Sequence, residues 1–223
     1  MDQQVELLLN VIRSGADDQR LEAVEALREL IDNAWDEVGA RLGNAVRQRN
    51  GLTLLAGLLA DPWPDLQSVV LNCLGNLASD YVDPQSFLTK QLLVSSNRLV
   101  FSCLNSPDHD VLFMCCAMLQ NLTNEPAWAR TVVEHHVETR LQELLNHADE
   151  RVGRYASGAL MNVMQKQKEV GEEVPQLSEQ ALSAVENREL FTISAHSRRI
   201  PHQPESLLTP LTARLLTACV SSS

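Results

Sequence analysis

One five-residue phrase occurs four times along this chain: Ala26-Leu27-Arg28-Glu29-Leu30, Cys73-Leu74-Gly75-Asn76-Leu77, Met118-Leu119-Gln120-Asn121-Leu122 and Ala159-Leu160-Met161-Asn162-Val163. Successive copies start 47, 45 and 41 residues apart (26 to 73, 73 to 118, 118 to 159). A period in the forties marks stacked helical units. One such unit cannot bury its apolar face alone. The next unit covers it, so the chain is expected to build an open stack rather than a closed globule. Stacks of this kind present extended concave surfaces to other proteins.

The residues around each copy repeat as well. An apolar helix comes first, as in Leu54-Leu55 with Leu58-Leu59, or Leu141 with Leu144-Leu145. A short acidic or Pro-containing turn follows, such as Asp61-Pro62-Trp63-Pro64-Asp65 or Ser106-Pro107-Asp108-His109-Asp110. A longer helix then carries the phrase. Asp18, Asp65, Asp110 and Arg151 each stand eight residues before its first residue. The turn acids are expected to cap the next helix and complement its dipole, and the prolines to stop the helix before. Within the longer helix, Val69, Val70, Cys73, Leu74 and Leu77 follow the i, i+3, i+4, i+7 rule of a broad buried face. Further helices are expected from Trp35 to Gln48, Pro84 to Leu93 and Ala127 to His136. The division that results is a partial repeat at 2–33, repeats at about 34–79, 80–126 and 127–168, and a C-terminal tail at 169–223.

Composition narrows the class. Hydrophobic residues make up 44% of the chain but aromatics only 4%, which favours helices packed through Leu, Val and Ala over a β-sandwich. The net charge of −11 is opposite to that of nucleic-acid binders and suits a protein partner of basic character. Cys73, Cys103, Cys115, Cys116 and Cys219 form no CxxC pair, which predicts reduced thiols and an intracellular, more cytoplasmic than nuclear, location. The N-terminal residues do not read as a secretory signal, and no apolar run is long enough to span a membrane.

Three of the four phrases end in Leu-x-Asn-Leu/Val. With the three-helix period and the Leu-rich helix before each phrase, this resembles the armadillo family, represented by β-catenin and importin-α, over about residues 2–168. The resemblance implies an all-α, right-handed armadillo-type α-solenoid of about three and a half repeats. It also implies that the Asn faces a concave groove and hydrogen-bonds the backbone of an extended peptide. By position those residues are Asn76, Asn121 and Asn162, with Glu29 in the first copy. Importin-type repeats carry a Trp four residues before the Asn. Here Glu25, Asn72, Ala117 and Gly158 stand there, which argues against a nuclear-import receptor.

Helical spacing alone also draws a polar stripe. It runs through Glu25, Glu29 and Asp32, then Asn72, Asn76 and Ser79, then Asn121 and Asn124, then Arg154, Asn162 and Gln165. An amide can donate and accept at once, which suits recognition of peptide backbone. The candidate partner-binding residues are Asn72, Asn76, Asn121, Asn124, Asn162, Glu25 and Glu29; the alternative is that such Asn residues only cap helices or hold water. No phosphate-loop, dinucleotide, serine-hydrolase or zinc-protease signature occurs, so no catalytic residue, cofactor or metal is expected. His135-His136 cannot chelate together from one helix. Cys115-Cys116 reads as core, Trp35 and Trp128 as structural, and Trp63 as a lid over its turn or a partner anchor. The expected function is a non-catalytic protein–protein interaction module holding an extended peptide or helix. Two alternatives stay open from the resemblance: a regulator of a partner's nucleotide cycle, as in chaperone or small-GTPase exchange factors, and a structural subunit of a large assembly.

The tail changes character. Gly171 to Pro175 reads as a linker, and Ser178 to Leu190 as a helix capped by Ser178. His196 to Pro204 is basic and Pro-containing, and is expected to be extended or disordered. Leu207 to Val220 is amphipathic but interrupted by Pro210. Whether the tail docks in the chain's own groove is left open by the sequence.

Overall fold

The computed structural model describes residues 1–179, 181–183, 185 and 200. The expected segment Leu207 to Val220 lies outside them, as does Cys219. Helices account for the fold: α1 (Asp2–Ser14), α2 (Asp17–Asp32), α3 (Asp36–Gln48), α4 (Gly51–Leu58), α5 (Pro64–Leu77), α6 (Ser86–Leu93), α7 (Asn97–Ser102), α8 (His109–Leu122), α9 (Pro126–Glu134), α10 (Val137–Leu144) and α11 (Glu150–Val170). Single 3-10 turns at Val94–Ser96 and Cys103–Asn105 extend α6 and α7. No strand occurs among the described residues.

Local chemistry sets the boundaries. Pro64 and Pro126 open α5 and α9 at the first turn, where a missing N–H costs nothing. Asp108 caps α8 by accepting from the N–H groups of Asp110 and Val111, both at 3.0 Å. Asp149 caps α11 by accepting from the Arg151 N–H at 2.9 Å. Asp18, Asp65 and Asp110 do not cap: each is the second residue of its helix, where a carboxylate meets the dipole instead. Ala16 and Trp63 hold the cap positions of α2 and α5 without a side-chain bond. Asn50 and His136, both at φ 55°, make the same left-handed turn from α3 into α4 and from α9 into α10. Asn and His are among the non-glycine residues that most readily adopt this conformation. The His135-His136 pair is therefore a connection, not part of a helix.

The phrase-bearing helices α2, α5, α8 and α11 stack in chain order. Leu27, Leu74, Leu119 and Leu160, the second residue of each phrase, are all fully buried. They belong to one continuous core, which also holds Cys73, Cys115 and Cys116. Burial pushes the Cys103 thiol up to about 11 and the Cys116 thiol up to about 12, so neither supplies a thiolate near neutral pH.

Polar locks join neighbouring layers. The Arg47 guanidinium on α3 meets the Asp83 carboxylate at 2.6 Å with both side chains buried, and also donates to Thr89 Oγ1 at 2.9 Å. Gly39 and Gly43 make room for this lock, since a Cβ at either would overlap Val82 O or the Asp83 carboxylate. Trp128 is fully buried and its Nε1 donates to the Lys90 carbonyl at 2.7 Å. Trp35 does not share that role: it is 54% exposed at the cap of α3, so the two tryptophans are not equivalent.

At the far end Gly171 adopts φ 72° and turns the chain back. Glu172 pairs with Arg130 of α9 at 2.8 Å, and the Ser178 N–H donates to Gln142 Oε1 of α10 at 3.1 Å. Ser178 Oγ accepts from the Ala181 N–H at 3.2 Å, the capping bond expected for a helix starting there. Ala181 and Val185 are buried in the common core. Among the described residues no helix is long and apolar enough to cross a membrane.

Candidate functional site

Because α2, α5, α8 and α11 stack, the polar position of each phrase falls beside the next. Asn121 Nδ2 donates to the Gly75 carbonyl at 2.9 Å, and Asn162 Nδ2 donates to the Gln120 carbonyl at 2.8 Å. The two bonds share a register: each Asn reaches the residue just before the Asn of the preceding phrase. A carboxamide held this way turns its N–H2 group to the preceding helix and its oxygen away from it.

Asn76 has Glu29, not an Asn, in the phrase before it, and its bonds differ. Its Nδ2 donates to Asp32 Oδ1 and to Asn72 Oδ1, both at 3.2 Å. Its Oδ1 accepts the main-chain N–H of Ile200 at 2.9 Å. Ile200 is 1% exposed. A Cβ on Gly75 would overlap Ile200 Cδ1 and approach Met118 Cα to 3.2 Å. Gly75 thus leaves the space that the isoleucine side chain and α8 share.

The predicted stripe exists but is not an open polar surface. Asn72, Asn76, Ser79 and Asn121 are buried. Inter-helix bonds use the amides of Asn72, Asn76 and Asn121, and Ile200 covers Asn76. Asn124 stays with its own helix, its Nδ2 3.4 Å from the Gln120 carbonyl. Asn162, Glu25 and Glu29 are half-buried. The acidic end holds a cation that stripe geometry alone overlooks: Arg28, 4% exposed, pairs with Asp32 at 2.8 Å through an i,i+4 contact. Burial lifts the Glu25 carboxyl above its ordinary value; Arg28 opposes the rise, and Glu29, Glu22 and Asp65 add to it.

Gly75, Met118, Arg28 and Ile200 are the members that sequence reasoning missed. One signal was present. The residue before the Asn or Glu is Arg28, Gln120 or Met161 in three phrases and glycine only at Gly75, the mark of a close approach. The remaining candidates resolve into packing. Trp63 is half-buried over its own turn, with Nε1 3.3 Å from Asp65 Oδ2. His109 and His147, from different turns, bring their rings to 5.2 Å. Among the described residues no group of three or more His, Cys, Asp or Glu side chains is placed to hold a metal ion.

Comparison with solved structures places this architecture. A designed armadillo repeat protein superposes with a TM-score of 0.62 at 15% identity, covering 95% of this chain and 98% of that one. A second designed armadillo repeat protein, in complex with the peptide (KR)4, gives 0.61 at 14% identity over 97% and 98%. Computationally designed armadillo repeat proteins for modular peptide recognition give 0.60 at 18% identity over 80% and 78%. No family model and no curated protein matches the sequence. The chain has the armadillo-type all-α solenoid fold.

Proposed function

We propose that this chain is a protein-interaction module, without chemistry of its own, that holds an extended peptide segment along the face of α2, α5, α8 and α11. The observation that carries this reading is the bond from the Ile200 main-chain N–H to Asn76 Oδ1. It joins residues 124 apart in sequence and uses the side chain of a recurring Asn as a backbone receptor. Asn121 and Asn162 would serve the same way further along. Asn72 orients the Asn76 amide, and Asn124 would flank the groove. Glu25 and Glu29 would draw a basic segment, because a cation beside Glu25 relieves the repulsion its carboxylate neighbours impose. The solved relatives named for peptide recognition, one of them holding (KR)4, support this reading.

Titrating the full chain with an eight-residue peptide of alternating Lys and Arg tests it. The side-chain amide resonances of Asn76, Asn121 and Asn162 should shift together. The Glu25→Gln, Glu29→Gln double variant should bind more weakly, by up to about fivefold for each carboxylate lost. Amide resonances that stay still during binding, with no loss in the double variant, would overturn the groove reading.

A further inference from the structure

We propose that Gly75, Asn76 and the adjacent Met118 form a subsite for one aliphatic residue of an extended peptide, and that Ile200 is its resident occupant, so an outside ligand must displace the chain's own tail. The inference rests on the groove reading above and adds to it the class of anchor residue and the competitor.

Three observations carry it independently of any partner. The site is shaped for a side chain: Gly75 is the one phrase position left without a Cβ, and Ile200 Cδ1 fills that space. It reads backbone as well, because Asn76 Nδ2 is held by Asp32 and Asn72 while Oδ1 takes the Ile200 N–H. An acceptor held this way requires a residue with an N–H, so proline cannot occupy the subsite. The third observation is the occupant's own sequence. Between Ile193 and Leu207, Ile200 is the one large aliphatic residue, yet it is 1% exposed. Pro201 follows it, and a residue before proline is biased to extended backbone. Arg198 and Arg199 precede it, opposite in sign to a chain of net charge −11.

Tethering makes such an occupant effective. A segment tethered in the same chain competes at roughly millimolar effective concentration. A resident segment whose intrinsic Kd is about 100 µM then lowers the apparent affinity of an outside peptide about tenfold.

The probe is a fluorescent synthetic peptide spanning residues 194–206 of this sequence, titrated into the full chain and read by anisotropy. The wild-type chain and an Ile200→Val chain should bind it weakly. An Ile200→Asp chain, its subsite vacated, should bind it at least about tenfold more tightly. That gain should vanish when the peptide's isoleucine is N-methylated or replaced by Asp. A measurement on the unsubstituted chain guards against misfolding of the variant: excess peptide should displace the resident segment and shift the Ile200 δ1-methyl resonance. Equal affinity for wild-type and Ile200→Asp chains, or bound peptide with an unmoved Ile200 methyl, overturns the proposal. The basic Lys-Arg peptide separates the two levels. If the Ile200→Asp chain binds it with shifts at Asn76, Asn121 and Asn162 but ignores the tail peptide, the subsite assignment fails and the groove reading stands. If neither peptide binds, both fail.

Discussion

At the scale of single residues, the recurring Asn has two jobs, and the chemistry of one amide separates them. The N–H2 group of Asn121 bonds the Gly75 carbonyl. Asn121→Asp keeps the shape but sets a carboxylate oxygen against that carbonyl inside the protein. We expect a loss of about 1–3 kcal/mol of stability, as for a buried polar group deprived of its partner, measured by urea unfolding. Glu25 gives a prediction in pH. Burial raises its carboxyl above the ordinary 4.5, so the folded state holds the proton more tightly than the unfolded state and the ionised form opposes folding. Glu25→Gln should therefore be more stable than the parent at pH 7. The difference should shrink as pH falls through the raised value and vanish below 4.5; an advantage that grows on acidification would contradict the assignment. The Asn positions were legible because they recur at fixed spacing. Arg28 was not, because it stands one residue before Glu29, off the i−4, i, i+3 face that carries its partner Asp32. Ile200 was invisible, since nothing local marks one isoleucine in a basic segment as half of a contact across 124 residues.

At the scale of elements, helix starts sort the turn acids into two kinds. Asp108 accepts two backbone N–H groups from the cap position, whereas Asp65 sits two positions later, as the second residue of its helix, without a capping bond. Asp108→Ala should cost about 0.5–2 kcal/mol and Asp65→Ala about 0.3–1 kcal/mol, compared by thermal denaturation. The Arg47–Asp83 lock is of a different order. Asp83→Ala leaves a guanidinium buried without its counter-ion, and about 3–5 kcal/mol of destabilisation is expected. Periodicity and proline placement made the helices legible to within a few residues. Which acid of a turn caps was not legible, because Asp108 and Asp110 are both near the boundary and the register of the first turn decides between them. Trp35 and Trp128 share an Ala-Trp context, yet only Trp128 finds a carbonyl to bond, that of Lys90 on the neighbouring helix.

At the scale of the whole molecule, a solenoid has no closure condition: each layer contacts its neighbours, and an end is simply a layer with one neighbour missing. The fold class followed from the period alone, since four copies in one register permit little else. How the last layer finishes did not follow, because the segment after α11 has too modest an apolar face to announce a docking surface. Here Gly171 reverses the chain, Glu172 and Ser178 pin it to α9 and α10, and Ala181 and Val185 enter the core. That short return acts as a chain terminator in the polymer sense. A protein ending at Lys168 would carry an uncovered growth face at one end and the side of α1 and α2 at the other. Such a contact is heterologous and does not close on itself. Sedimentation velocity should then show the truncated protein lengthening into head-to-tail oligomers as its concentration rises, while the full chain keeps a single size.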